Sequence, residues 1–348
     1  MKALTVRPGQ AGSAEVVEVE DPPDDAGTLL VEGVALGVCG TDREIVSGAY
    51  GEAPPGHDRL VLGHESLGRV LEAPAGSGFA EGELVAGIVR RPDPVPCGAC
   101  AHGRFDMCRN GRYTERGIKG LDGYGSERWR VEPEYAVHVD AALADVGMLT
   151  EPASVVAKAW EQVELVGQRS WFEPKTVLVT GAGPVGLLGA LLGVQRGLEV
   201  HVLDLATDGP KPQLVRDLGA TYHSEAVDAV MQRLRPDIVL EGTGASAVVV
   251  DAMAGTAPYG IVCLLGVSQT GRTQRIDAGG LNRGIVLENV AVVGSVNAYG
   301  AHYRAGAEAL GRADRDWLAR LVTRRVPLVR ASEALERRDD DIKVVIDL

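Results

Sequence analysis

The chain has 348 residues, 45% hydrophobic and 24% charged, and its 48 acidic and 35 basic residues give a net charge of −13. This length exceeds what one hydrophobic core ordinarily holds and predicts two domains, and the excess of acidic residues argues against nucleic acid or an anionic membrane as a partner. The N-terminal segment MKALTVRPGQ has no apolar signal-peptide region, and no run of about 18 apolar residues indicates a membrane span. We therefore expect a cytoplasmic protein.

Residues 1 to about 150 contain short β-like runs that glycine and proline interrupt, as in TLLVEGVALGVCG, LGRVLEA and ELVAGIVRR. Helical periodicity is rare in this region and first becomes clear in EPASVVAKAWEQVELV, residues 151–166. The pattern predicts an irregular β domain followed by a helix.

Two short motifs of the β region place metal-ligating side chains in separate loops. CGTD begins at Cys39, and GHE contains His64; a thiolate paired with an imidazole suits zinc. Catalytic zinc needs a third protein ligand beside an open position, and Glu151 offers a carboxylate at the end of the region. Taken singly, these are ordinary structural residues: a buried cysteine, a core histidine and an acid at a helix N-terminus. Their joint occurrence ahead of a dinucleotide-binding pattern favours a catalytic zinc site.

Three of the five cysteines, Cys97, Cys100 and Cys108, lie in RRPDPVPCGACAHGRFDMC, residues 90–108. Clustered thiols in a chain without a signal peptide fit metal binding in a reducing compartment better than disulfides. A closed zinc site takes four ligands. The stretch is therefore either a zinc lobe with an unusual fourth ligand or a loop whose thiols are free.

From residue 176 apolar strands alternate with helical patterns. The strand-like runs are TVLVTGAG, EVHVLDLA, DIVLEGTG, GIVCLLGV and NVAVVGSVN, and PVGLLGALLGVQRGL and PQLVRDLGA have helical spacing. Such alternation predicts a doubly wound parallel sheet. The tail from about residue 300 is helical and then forms short strands.

The glycine motif GAGPVG follows a strand and opens a helix, the context in which this spacing predicts a dinucleotide site. Gly181 permits the tight turn. Gly183 lets the backbone approach a pyrophosphate at the helix N-terminus, and Gly186 allows close helix–strand packing.

Cofactor choice depends on the end of the second strand, HVLDLATDG. Asp204 is placed to bind both ribose hydroxyls, and a 2′-phosphate would face its carboxylate. Leu205 and Ala206 stand where a basic pair would bind that phosphate, and no arginine follows nearby. We predict NAD over NADP; the alternative is that Asp204 is only a turn residue.

Together these motifs resemble the zinc-dependent medium-chain dehydrogenases over essentially the whole chain. The matching positions are Cys39, Thr41 and Asp42, then Gly63, His64 and Glu65 with Gly68, and the glycine turn at 181. The stretches ERGIKGLDGYGSE, LTEPASVVAKAWE and IDAGGLNRGIVLENVAVVGSVNAYGAHY are most similar to the glucose dehydrogenase branch.

This resemblance implies an α/β architecture with two domains and a cleft between them for NAD and substrate. The implied parts are a GroES-like irregular β-barrel catalytic domain over 1–155 with a structural lobe at 90–110, a Rossmann NAD-binding domain over 156–297, and a C-terminal return to the catalytic domain over 298–348.

The same resemblance implies catalytic roles. The implied ligands of the catalytic zinc are Cys39, His64 and Glu151. Glu65 would reach the metal directly or through water, and Asp42 would orient His64 and fix its tautomer. Thr41 would contact the substrate oxygen and begin a proton relay.

Substrate and cofactor residues follow by the same route. Glu115 would lie near the substrate and Asn297 would close the pocket, while His302 is either a sugar contact or a surface histidine. The residues expected at the substrate are Thr41, Glu115, Glu151, Asn297 and His302. Those expected at the cofactor are Gly181, Gly183, Pro184, Val185, Gly186, Asp204, Thr243, Gly244, Val267 and Asn297.

The family's structural zinc lobe has the spacing C-x2-C-x2-C-x7-C, and this chain keeps the last three cysteines. The place of the missing first ligand falls on Asp93, with one additional residue before Cys97. Asp93 is thus the expected fourth ligand, with His102 and Asp106 as rivals and a metal-free lobe as the remaining alternative.

The branch implies an aldose substrate, glucose first, oxidised at C1 to a lactone. Val89 and Val155 stand where some members carry Asn and Asp, so the pocket has fewer hydrogen-bonding partners and should discriminate less sharply. Another aldose, a cyclitol or a modified sugar of a specialised pathway remains open.

Other functions compete with this prediction: a general secondary-alcohol or polyol dehydrogenase, a zincless quinone reductase, and a non-catalytic dinucleotide-binding protein. The metal-ligand set argues against the last two. The family also implies a homodimer or homotetramer. NVAVVGSV could pair at a sheet edge between subunits or lie inside one sheet.

Overall fold

The computed structural model describes residues 1–268, 271 and 273–348. The chain forms two compact units, of which unit 1 comprises Met1–Ser154 with Asn297–Leu348 and unit 2 comprises Val155–Val296. None of the helices in the described ranges has the length and hydropathy that spanning a membrane requires.

The strands, in chain order, are β1 (Lys2–Val6), β2 (Glu15–Glu18), β3 (Leu29–Val38), β4 (Leu60–Val61), β5 (Glu65–Glu72), β6 (Leu84–Gly87), β7 (Arg90–Arg91), β8 (Thr114–Arg116), β9 (Gly120–Leu121), β10 (Arg128–Val131), β11 (Ala136–Val139), β12 (Thr176–Thr180), β13 (Glu199–Leu203), β14 (Thr221–His223), β15 (Ile238–Glu241), β16 (Ile261–Leu264), β17 (Ala291–Gly294), β18 (Val322–Pro327) and β19 (Lys343–Asp347).

The helices are α1 (Gly40–Val46), α2 (Gly98–Ala101), α3 (Thr150–Gly167), α4 (Pro184–Gln195), α5 (Pro210–Asp217), α6 (Val227–Leu234), α7 (Ser246–Gly255), α8 (Ala278–Glu288), α9 (Gly300–Gly311), α10 (Arg315–Leu321) and α11 (Ala331–Leu335). The predicted helix at 151–166 corresponds to α3.

Unit 1 is built on a sheet of order β11-β6-β5-β3-β19-β18, with β10 also paired to β3, and on smaller sheets of order β2-β1-β4 and β7-β8-β9. Its strands are short and joined by many glycine turns, as the irregular β prediction required. The central strand β3 pairs antiparallel with β5 and with β19. Because β19 belongs to the C-terminal segment, residues near 343 come to lie beside residues near 38 and 65.

Unit 2 is a parallel sheet of order β14-β13-β12-β15-β16-β17. The central strands β12, β15 and β16 are largely apolar and buried, as expected of strands covered on both faces, and the doubly wound prediction is confirmed. The strand order reverses at β12, so the carboxyl end of β12 is the switch point at which such sheets bind ligands. Gly181 directly follows that end.

Candidate active site

The thiol of Cys39 is fixed at the start of α1. Cys39 precedes the first residue of the helix, and its Sγ accepts a hydrogen bond from the Thr41 amide at 3.2 Å. In return the Cys39 amide donates to Asp42 Oδ2 at 2.8 Å. These reciprocal bonds cap the helix and hold the predicted Cys39, Thr41 and Asp42 together.

His64 enters from the turn before β5. Gly63 adopts a φ of 99°, and a Cβ there would approach Leu36 to 2.4 Å, so the turn requires glycine. The buried His64 ring places Nε2 3.0 Å from Cys39 Sγ. Its Nδ1 lies 3.4 Å from Asp42 Oδ1, and neither atom has another hydrogen-bond partner among the described residues. Asp42 therefore lies beside the ring, and its role in orienting His64 stays a prediction.

Glu65, the next residue, has a partner that the sequence did not reveal. Lys343 Nζ lies 2.6 Å from both carboxylate oxygens of Glu65 and also donates to the Val38 carbonyl at 3.3 Å. Both charged side chains are almost fully buried. A Cβ at Gly37 would lie 2.0 Å from Glu65 Oε2, so glycine at this position of β3 makes room for the carboxylate.

Burial lowers the pKa of His64, but the charges of Cys39 and Asp42 outweigh burial and hold that pKa well above its ordinary value. Burial, together with the charge of Glu65, raises the pKa of Glu151 to about 7, although His64 and Lys343 act in the opposite direction. Several acidic side chains therefore lie close together here, and their combined negative charge favours binding of a cation.

Zinc fits this donor set. The ligand atoms of Cys39, His64 and Glu65 all lie within 4.8 Å of one another. One thiolate, one imidazole and one carboxylate are ligands that zinc takes in catalytic sites. Glu151 is close enough to interact electrostatically with His64 and Glu65 but does not join the three-residue group. Its role as the third ligand stays a prediction.

The predicted substrate residues Glu115 and Asn297 are in direct contact. Asn297 Nδ2 donates to Glu115 Oε1 at 2.7 Å, and Asn297 has a φ of 63° in the left-handed region that asparagine tolerates. The buried Arg90, which the sequence did not single out, also donates to Glu115 Oε1, from Nε at 3.1 Å and from a terminal nitrogen at 2.9 Å.

His302 is buried rather than on the surface. Its relative exposure is 3%, its Nδ1 accepts a hydrogen bond from the Tyr299 amide at 3.3 Å, and the two rings meet edge to face. The surface alternative is therefore wrong, while the sugar contact stays a prediction.

The three clustered thiols of Cys97, Cys100 and Cys108 come together, with all sulfur atoms within 4.8 Å of one another. The Arg109 amide donates to Cys97 Sγ at 3.3 Å. This bond and one from the Cys100 amide lower the pKa of the Cys97 thiol to about 6. A thiolate at neutral pH suits a metal ligand.

No carboxylate or imidazole of the described residues joins this thiol group. Asp93 is buried, but its Oδ1 accepts from the Val95 amide at 2.8 Å and its Oδ2 lies 3.3 Å from Arg112 Nε. His102 Nδ1 lies 2.7 Å from the Gly98 carbonyl. Asp93 as fourth ligand stays a prediction, as do the rivals His102 and Asp106.

The glycine turn of unit 2 has the geometry that a dinucleotide site needs. Gly181 has a φ of 89°, and apart from its chain neighbours no atom of the described residues lies within 4 Å of a Cβ built on Gly183. A Cβ on Gly186 would lie 1.8 Å from the Gly181 carbonyl oxygen, so helix and strand touch there. Pro184 and Val185 begin α4, whose N-terminus has no side-chain cap and leaves backbone N–H groups for an anion.

Asp204 forms hydrogen bonds with the glycine turn and with a lysine side chain. Its Oδ2 accepts from the Ala182 amide at 2.6 Å, its Oδ1 accepts from the Ala206 amide at 3.1 Å, and Lys211 Nζ lies 3.2 Å from Oδ1. Burial acts against it, but these contacts together lower the pKa of Asp204. Lys211 was not recognised from the sequence because it lies 7 residues after Asp204, in the first turn of the next helix, α5.

Thr243 and Gly244, predicted along the cofactor, are arranged by a buried acid. Glu241 Oε1 accepts from the Thr243 amide at 2.8 Å and from the Gly244 amide at 3.1 Å. Val267 follows β16 and is largely exposed. The described part of the chain therefore presents the 243–244 turn and Val267 after adjacent parallel strands.

Sequence reasoning missed three charged partners: Arg90, Lys211 and Lys343. Each neutralises a carboxylate that was itself predicted at a site. Lys343 had a recognisable signal, because it stands within the apolar run IKVVIDL, where an unpaired lysine would be unfavourable.

Comparison with known proteins agrees with this geometry. Residues 25–141 match the alcohol dehydrogenase GroES-like domain, and residues 144–348 match the glucose dehydrogenase C-terminus. The glucose 1-dehydrogenases of Thermoproteus tenax and Methanocella arvoryzae are 41% and 38% identical, and both alignments cover 100% of this chain and 99% of the relative.

Among solved structures, Haloferax mediterranei glucose dehydrogenase in complex with NADP, Zn and gluconolactone has a TM-score of 0.92 and 33% identity, covering 100% of this chain and 99% of that one. The GroES-like and Rossmann architecture implied by the sequence motifs is therefore confirmed. The matches span the full chain, and the chain belongs to the glucose dehydrogenase branch of the zinc-dependent medium-chain dehydrogenase family.

Proposed function

We propose that this protein oxidises the C1 hydroxyl of an aldose, with glucose first, and transfers the hydride to a nicotinamide cofactor with release of a lactone. The observation that carries the proposal is the group of Cys39, His64 and Glu65 in the same unit as the bonded pair Glu115 and Asn297. The candidate metal ligands and the candidate sugar-binding carboxylate thus belong to unit 1, and the dinucleotide turn belongs to unit 2.

When bound, zinc supplies Lewis acidity that makes the substrate hydroxyl easier to deprotonate. Cys39 and His64 would hold it, with Glu151 as the proposed third ligand and Glu65 reaching the metal directly or through water. Asp42 Oδ1 beside His64 Nδ1 favours the tautomer whose Nε2 is free to ligate. The half-buried Thr41, at the first turn of α1, would accept a hydrogen bond from the substrate hydroxyl and begin a proton relay, in which it takes the substrate proton while passing its own hydroxyl proton on toward water.

On the sugar side, Glu115 would accept hydrogen bonds from substrate hydroxyls while Asn297 holds its position. Val89 and Val155 offer no polar group where some members carry one, so selectivity among aldoses should be modest. His302 is a further candidate contact. A secondary alcohol or polyol remains the alternative substrate class, because the metal chemistry is the same for both.

Formation of the reduced nicotinamide cofactor tests the function directly. Purified, zinc-loaded protein should reduce NAD with glucose and with several other aldoses, and Glu115→Gln should raise KM for sugars more than KM for NAD. Turnover of simple secondary alcohols but of no aldose would favour the alternative. No turnover at all would favour a non-catalytic binding protein.

For the cofactor we propose NAD over NADP, because Asp204 would oppose a 2′-phosphate. Two observations favour NADP instead: Lys211 Nζ lies 3.2 Å from Asp204 Oδ1, and the Haloferax mediterranei relative was solved with NADP. The ratio of kcat/KM for the two cofactors decides between them. Lys211→Met should lower the NADP value by roughly fivefold and leave the NAD value within twofold, since partly exposed ion pairs are worth about 1 kcal/mol or less.

We further propose a homodimer or homotetramer that uses the β17 side of unit 2. β17 ends the sheet order, and none of the residues of the adjacent helix α8 is buried, although Val286 and Leu287 are apolar. An open strand edge beside exposed apolar side chains favours pairing with a second copy. Light scattering on Leu287→Glu should show a shift toward monomer relative to the unmodified chain; an unchanged mass would contradict this interface.

A further inference from the structure

Glu115 is held on one oxygen only. Its Oε1 accepts three hydrogen bonds, two from the guanidinium of Arg90 and one from Asn297 Nδ2 at 2.7 Å. Among the described residues no donor bonds to Oε2. The carboxylate is therefore fixed in orientation while keeping one oxygen as a free acceptor.

Arg90 is itself locked on several sides. It is 6% exposed, and its second terminal nitrogen donates to the Asp106 carbonyl at 3.0 Å. Its guanidinium carbon lies 3.7 Å from the centre of the Tyr113 ring. A planar group that is bonded along its edges and stacked on one face has little freedom to rotate, so the carboxylate bonded to it has little freedom either.

Glu115 lies in the part of unit 1 that holds the metal centre. β7 and β8 pair with Arg90 opposite Glu115. Two residues further on, a Cβ at Gly117 would come within 2.4 Å of the Gly63 carbonyl oxygen, so the turn after β8 packs against the peptide that precedes His64. The ordered carboxylate and the ligand histidine are thus carried by touching segments.

We propose that Arg90 is the positioning residue for sugar selectivity: by binding Glu115 Oε1 it presents Oε2 to a hydroxyl of the bound sugar. This inference rests on the sugar dehydrogenase function proposed above. Arg90 acts through Glu115 and does not itself need to contact the sugar. Lysine cannot replace it, because the donors of one ammonium lie on a single nitrogen, whereas Arg90 reaches Glu115 Oε1 and the Asp106 carbonyl from separate nitrogens of a planar group.

Arg91 offers a matched control. It is the neighbouring residue of the same strand and is also buried, but it donates to the Ile88 carbonyl at 2.8 Å and to Glu132 at 3.2 Å, and stacks on Tyr135. Changes at Arg91 therefore reproduce the loss of a buried, stacked arginine without touching Glu115.

The test compares Arg90→Lys with Arg91→Lys. We expect Arg90→Lys to lower kcat/KM for glucose by about 10- to 100-fold, mainly through KM, since misplacing a substrate-orienting group has effects of this size. KM for the cofactor should stay within twofold, and the spread of kcat/KM among aldoses that differ at one hydroxyl should narrow. Arg91→Lys should leave both the sugar KM and that spread within threefold of the unmodified protein.

A double-variant cycle checks that Arg90 acts through Glu115. If it does, Arg90→Met combined with Glu115→Gln should be no worse in sugar KM than Glu115→Gln alone. Should Arg90→Met not fold, as judged by circular dichroism, Arg90→Lys takes its place in the cycle.

Losses that multiply in the double variant, or equal sugar KM values for Arg90→Lys and Arg91→Lys, would overturn this inference while leaving the proposed function intact. Failure of the unmodified, zinc-loaded protein to oxidise any aldose would overturn the proposed function, and the inference with it.

Discussion

Unit 1 contains two clusters of candidate metal ligands, one at Cys39 and His64 and one at Cys97, Cys100 and Cys108. The two clusters stabilise negative charge in different ways. At Cys39 and His64, side-chain carboxylates and the buried Lys343 ammonium lie around the thiol. Opposite side-chain charges therefore balance one another at this site. At Cys97, Cys100 and Cys108, no carboxylate or imidazole of the described residues joins the sulfur group, and backbone amides such as that of Arg109 lower the pKa of the Cys97 thiol. Fixed amides suit a closed structural site, whereas adjustable side-chain charges suit a site whose own charge changes during a reaction.

The largest expected difference between the two clusters is the effect of removing Cys39 on activity. Cys39→Ala should lose one zinc per chain and lower kcat/KM by roughly 1000-fold or more, because Lewis acid stabilisation is worth several kcal/mol. Metal analysis alongside sugar turnover measures both effects. Cys263→Ala, which changes a buried cysteine outside either cluster, is the control and should keep its zinc and its activity.

Removal of Lys343, the partner of Glu65, should lower the stability of the folded protein. Lys343→Met leaves Glu65 buried without its counter-ion and should lower the free energy of unfolding by about 3–5 kcal/mol. Urea unfolding of the metal-free protein measures this. Adding Glu65→Gln to the same chain should restore a large part of the loss; no restoration would mean that the lysine contributes by packing alone.

At the thiol cluster we expect a change in stability rather than in chemistry. Cys100→Ser should remove the second zinc per chain and lower Tm by roughly 5 °C, which corresponds to about 2 kcal/mol, while kcat stays within threefold. Zinc counting and calorimetry measure the two effects. If the unmodified protein binds one zinc and loses it with Cys39→Ala, the thiol cluster is metal-free.

The smallest effect concerns the fourth ligand. Asp93→Asn keeps an acceptor for the Val95 amide but loses the charge, so the lobe should bind zinc about 10- to 100-fold more weakly with little change in Tm of the zinc-saturated protein. Competition with a chromophoric chelator measures the affinity. Unchanged affinity would show that Asp93 only orders the loop with Arg112.

Local patterns predicted the parts of the fold that depend on neighbouring residues. Gly181 and Gly186 have the turn and the close packing expected from their spacing, and α3 covers the predicted helix. Cys39, Asp42 and His64 were recognisable because each stands in a short motif. Their assembly could also be anticipated, since the family pattern specifies which loops meet.

Long-range charge partners could not be predicted in this way. Lys343 lies 278 residues from Glu65 in the sequence, and Arg90 lies 25 residues from Glu115. Neither pair has a spacing signature, because strand pairing rather than chain proximity brings the partners together. Asp93 shows a second limit of sequence position, which indicated a ligand but not the Val95 amide and Arg112 that bond its carboxylate in this structure, so its role as ligand stays a prediction.

The position of Lys343 on β19 also affects the order in which the protein is made. When synthesis has passed residue 151, the growing chain already carries the thiol, the histidine and the acidic side chains of the metal centre, but the counter-ion of Glu65 and the strand that covers β3 are still missing. An interrupted translation product would therefore present a centre with one extra negative charge beside an open sheet edge. The charge balance of the candidate metal site thus depends on β19, which is synthesised long after Cys39, His64 and Glu151.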